Sequence, residues 1–69
     1  MVNSKMLRSK MVLFGDTNES LAEALHISKQ TISAKITGKI DFWQTEIKEI
    51  ALRYNLTPDE VDKIFFAGE

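Results

Sequence analysis

A chain of 69 residues has room for one small domain. It contains no cysteine and one histidine, which excludes disulfide staples, thiolate-held zinc and almost every histidine-based metal site. The formal net charge is −1, but it is unevenly spread: residues 1–40 hold six basic and three acidic side chains, and residues 41–69 hold three basic and seven acidic ones. From Ala24 to Ile40 there are three lysines and no acid, which sets one part of the chain toward an anionic partner. The longest apolar run, Met11-Val12-Leu13-Phe14, is far too short to span a bilayer. Lys5, Arg8 and Lys10 are not followed by the apolar stretch and cleavage site of a secretory leader. The expectation is a soluble cytoplasmic protein.

In chain order, the apolar spacing predicts five helices and no convincing strand. The first runs from about Ser4 to Leu13, with Leu7, Met11 and Phe14 on one face and Gly15 as its stop. The second runs from about Asn18 to Leu25, capped by Asp16 or Thr17, with Glu19 in its first turn and Leu21, Ala22 and Leu25 as the buried stripe. His26 stands at its stop, where a left-handed backbone is required. Ser28 caps a third helix, from about Lys29 to Thr37, that buries Ile32 and Ile36 and is closed by Gly38. Lys29, Gln30, Ser33, Ala34 and Thr37 are left on its other faces. The fourth helix runs from Trp43 or Gln44 to Tyr54 on the period of Ile47, Ile50, Ala51 and Tyr54. The fifth opens on Thr57-Pro58-Asp59-Glu60, a cap, a first-turn proline and a capping box, and buries Val61, Ile64 and Phe65.

Helices two and three are separated by His26-Ile27-Ser28, a turn length that marks the helix-turn-helix unit. The stretch from Leu21 to Ser33, Leu-Ala-Glu-Ala-Leu-His-Ile-Ser-Lys-Gln-Thr-Ile-Ser, resembles the helix-turn-helix of the Cro and phage-repressor family. Ser33-Ala34-Lys35-Ile36-Thr37-Gly38-Lys39 and Leu56-Thr57-Pro58-Asp59-Glu60-Val61 extend the likeness to small Cro-like regulators of temperate phages of Gram-positive bacteria. It covers about Leu7 to Phe66. Two departures stand out: His26 replaces the family's turn glycine, and Asn18 stands where glutamine is frequent.

The resemblance implies an all-α, five-helix, lambda-repressor-like helix-turn-helix domain. It implies sequence-specific binding of double-stranded operator DNA by the third helix, in the cytoplasm of a bacterial host. By position, Lys29 and Gln30 would meet base edges first and Ser33 and Ala34 one turn later. Asn18 and Thr31 would touch phosphates, and Lys35, Thr37 and Lys39 would approach the backbone beyond. The side-chain chemistry suits this: glutamine pairs with adenine, lysine donates to guanine, and alanine packs on a thymine methyl.

Plainer readings stand beside these. The three lysines can be a solvated face, and helices two and three an ordinary helical hairpin. His26 reads as a turn residue rather than a ligand, and Phe42 and Trp43 read as core plugs rather than a base-stacking platform. Asp16-x-Asn18-x-Ser20 is no calcium loop, because Leu21 and Ile27 occupy the positions of the required glycine and glutamate. No enzyme, cofactor or metal is implied. Phe65 and Phe66 point about 100° apart on a helix, so one closes the core and the other is available for a protein contact. That contact would be a second copy of the chain or an opposing phage repressor. Binding such a repressor, rather than DNA, is the competing function.

Overall fold

The computed structural model describes residues 1–67, which form five helices and no strand. They are α1 Ser4–Leu13, α2 Asn18–Leu25, α3 Lys29–Ile36, α4 Gln44–Arg53 and α5 Pro58–Phe65. The radius of gyration is 10.7 Å, close to the roughly 11 Å of a well-packed chain of this length.

Four of the five starts are capped by a local side chain; at α4 the N-cap Trp43 makes no side-chain bond. Asn3 accepts the Met6 N–H at 3.1 Å, and Ser28 accepts the Thr31 N–H at 3.0 Å. At α2 the cap is Thr17 rather than Asp16; Thr17 and Ser20 exchange hydrogen bonds with each other's N–H. Thr57 and Glu60 form the reciprocal box expected at α5.

The first four helices all end in one motif, in which a left-handed residue turns the chain and two N–H groups return to the last turn. The turning residues are Gly15 (φ 74°), His26 (φ 59°), Gly38 (φ 86°) and Asn55 (φ 50°). Behind them, the N–H groups of Asp16, Ile27, Lys39 and Leu56 bond to the carbonyls of Met11, Ala22, Ala34 and Ala51. His26 therefore adopts the left-handed backbone conformation that glycine takes most easily. The end of α3 is one residue earlier than the sequence suggests, with Thr37 as its cap.

Every helix contributes to the core: Leu7 and Met11 from α1, Leu21 and Ala22 from α2, Ile32 and Ile36 from α3, Ile50 from α4, and Ile64 and Phe65 from α5. Tyr54, just past α4, is also buried. These residues make up most of the expected stripes; Leu25, Ile47, Ala51 and Val61, also expected on the inward faces, are only partly buried. Two aromatic expectations need correction. Phe14 lies beyond the helix and is half exposed, with its ring tilted against Tyr54 at 5.2 Å. Trp43 is not a core plug; it is 69 % exposed. Phe42 alone does that work, edge-on to Phe65 at 5.3 Å.

Candidate nucleic-acid interface

The α2–α3 pair carries the candidate surface. His26 reverses the chain, Ile27 tucks partly into the core, and Ser28 starts α3. Because Ile32 and Ile36 are buried, the opposite side of α3 must face outward. Lys29, Gln30, Ser33 and Thr37 are all exposed and fall within about 100° of one another on a helical projection. Ala34, partly buried, borders that arc.

The remaining assigned residues divide by their hydrogen bonds. Thr31 is partly buried, and its hydroxyl accepts from Ser28 Oγ at 2.8 Å, so its own proton is still available to an acceptor. Thr37 Oγ1 donates back to the Ser33 carbonyl at 2.9 Å, so it must give up that bond to donate to a phosphate. Asn18 is exposed at the first position of α2. Its neighbour Glu19 approaches Lys29 Nζ at 3.9 Å, so side chains from the first turns of α2 and α3 reach toward each other. Lys39 is exposed just beyond the end of α3.

Lys35 is the exception. The family resemblance implies a contact with the DNA backbone, but its side chain is only 3 % exposed. It lies about 200° around the helix from Ser33, among Ile32 and Ile36. Its ammonium donates to Glu46 Oε1 at 2.6 Å and to the Asp41 carbonyl at 3.3 Å, and the Trp43 ring lies 4.8 Å away. These contacts use the donors that a phosphate would need. Lys35 therefore leaves the contact set.

A second polar cluster, also unanticipated, holds the α1–α2 junction to the end of α4. Asp16 accepts from Arg53 Nε and Nη2 at 2.6 and 2.7 Å, from Tyr54 Oη at 2.7 Å and from Ser20 Oγ at 2.7 Å. The Arg53 guanidinium above all, with the two hydroxyls, holds the Asp16 carboxyl well below the usual carboxylate range against the opposing effect of its burial. Burial, then the bond to Asp16, pushes the Tyr54 phenol up. Lys10 reaches Glu60 at 2.6 Å between α1 and α5 and lowers the Glu60 carboxyl. The charge asymmetry gave no sign of these pairings, because Asp16 and Arg53 are 37 residues apart.

Among the described residues, no group of histidine, aspartate and glutamate is arranged to hold a metal ion. No helix there is long and apolar enough to cross a membrane. No protein-family model matches the chain, and no curated protein or solved structure does.

Proposed function

We propose that the chain is a sequence-specific DNA-binding regulator of transcription, a Cro-like repressor of a phage lysis–lysogeny switch working in the bacterial cytoplasm. In this reading α3 lies in the major groove of an operator. The observation that carries it is the exposed arc of Lys29, Gln30, Ser33 and Thr37 on a short helix braced across α2 by a three-residue turn. The resemblance of Leu21–Ser33 to the Cro and phage-repressor family supplies the biological setting. Lys29 and Gln30 read bases at the leading end of α3, with Ser33 and Ala34 behind them. Asn18, Thr31 and Lys39 meet phosphates, and Thr37 joins them by releasing its backbone bond. With Lys35 buried, phosphate contacts are few, so affinity for any duplex is modest and its salt slope shallow. The test is a gel-shift titration against the DNA beside the protein's own gene, at two salt concentrations. Saturable binding that survives competition from unrelated duplex supports the reading. Equal competition by both duplexes contradicts it.

A second reading is favoured by Phe66. Phe65 is buried, whereas Phe66 is 40 % exposed and lines a groove of about 240 Å³ with Ile47, Ala51 and Val61 between α4 and α5. This surface suits a protein contact, with a second copy or an opposing repressor. A dimer would also join two weak half-site contacts. Phe66→Ser should leave the domain folded and abolish self-association or repressor binding, whereas Phe65→Ser should unfold it. A monomeric wild type that binds no repressor removes this reading.

A further inference from the structure

The connection between α3 and α4 has no regular structure, yet it is fastened along its length. The N–H groups of Lys39 and Ile40 both reach the Ala34 carbonyl, at 2.9 and 3.4 Å. Further on, the Asp41 carbonyl accepts from Lys35 Nζ at 3.3 Å, and the Trp43 N–H donates to Glu46 Oε1 at 2.8 Å. Lys35 and Glu46 are themselves joined at 2.6 Å, and both are buried.

Two opposite charges in so small a core are a poor means of stabilising it. Desolvation offsets much of their attraction, and an apolar pair of similar volume is often at least as stable. An apolar pair could not, however, satisfy the Asp41 carbonyl or the Trp43 N–H. The charges anchor the far end of the connection at Asp41 and Trp43, as the backbone bonds of Gly38, Lys39 and Ile40 anchor its near end, so the path of residues 38–43 is fixed at both ends. That path carries Lys39, whose exposed side chain stands beyond the last turn of α3. A lysine on a fixed backbone loses less freedom on meeting a phosphate than one on a loose loop.

We propose that Lys35 and Glu46 are positioning residues for DNA binding: buried themselves, they hold the 38–43 connection so that Lys39 meets a phosphate next to the end of α3. The inference rests on the DNA-binding reading above. It gives Lys35 an indirect part in the interface in place of direct contact.

The test compares wild type, Lys39→Ala, the double variant Lys35→Met with Glu46→Leu, the triple combination, and Glu46→Gln. Each is followed by urea unfolding, by Trp43 fluorescence anisotropy, and by binding to the duplex from beside its own gene over a range of salt concentrations. Trp43 is the chain's single tryptophan and lies on the connection itself, so its emission reports directly on that segment. The double variant should unfold cooperatively and show lower Trp43 anisotropy. Its salt slope should fall by about 1, as in Lys39→Ala. The triple variant should lose nothing further, and Glu46→Gln, which keeps an acceptor oxygen, should retain the wild-type slope. A folded double variant with the wild-type slope overturns the inference, as does a triple variant in which the two losses add. A double variant that no longer folds makes the pair structural and overturns it too. Wild type that binds no duplex at all sinks the DNA-binding reading, a result distinct from a normal wild type with an insensitive pair.

Discussion

Lys29 and Lys35 lie on the same two-turn helix and have opposite surroundings. Lys29 stands in solvent with only Glu19 at 3.9 Å, whereas Lys35 is enclosed by Glu46, the Asp41 carbonyl and two aromatic rings. The angular part of that difference is legible in the sequence, because Ile32, Lys35 and Ile36 fall on the i, i+3, i+4 stripe of one face. The partner is not legible. Nothing in residue type or spacing marks Glu46, eleven residues later, rather than any of the chain's other acids. Glu19 has a consequence of its own for binding. It weakly offsets the Lys29 charge across 3.9 Å and sets a negative charge beside the proposed phosphate contacts at the start of α2. Glu19→Gln should tighten binding to all duplexes alike, by roughly two- to fivefold at low salt, with the gain shrinking as salt screens it. It should also cost a few tenths of a kcal/mol of stability, because Glu19 complements the α2 dipole. Filter-binding assays at low and high salt check the first effect.

At the scale of elements, starts and stops follow from side chains within a few residues, and most of them are readable for that reason. Ser28 and Thr57 cap as their positions suggest, and Gly15, His26 and Gly38 turn the chain where expected. Asn55 performs the same turn after α4 and is not marked by its residue type, since asparagine is common in loops for other reasons. Histidine in a left-handed conformation bears a steric cost that glycine does not, partly offset by glycine's greater freedom when unfolded. His26→Gly should therefore raise stability by about 0.5–1 kcal/mol with operator affinity unchanged, as measured by urea unfolding and DNA titration. A loss of stability would mean that His26 contributes through its side chain. Trp43 shows the limit of reading by residue type: a large aromatic at a helix start suggests burial, but Phe42 already fills that part of the core.

For the whole molecule, polar groups far apart in sequence fix how the helices meet. Asp16 joins the α1–α2 junction to the end of α4, Lys10 joins α1 to Glu60 of α5, and Ser4 Oγ donates to the Ile36 carbonyl at the end of α3. Such pairings depend on the assembled fold and leave no local pattern, which is why the helices and their buried faces were legible and these ties were not. They also set the response to acid. Asp16 and Glu60 both have carboxyls lowered in the folded protein, so their stabilisation is complete above the unfolded value near pH 4. It is lost as pH falls through the folded values. Stability should thus be level from neutral pH to about pH 5 and decline below it. Asp16→Asn should cost about 1–3 kcal/mol at neutral pH, allowing for the partly exposed Arg53, and should flatten the acid decline. Thermal unfolding from pH 2 to 7 measures both. The central claim, that the outer face of α3 reads base sequence, is tested most directly by selecting preferred sites from a random duplex library with wild type and with Gln30→Ala. The expected result is a defined wild-type site, with preference relaxed at one base pair per site in the variant, affinity lowered by about 1–3 kcal/mol and the unfolding transition unchanged. Identical preferences and affinities for the two proteins would contradict it.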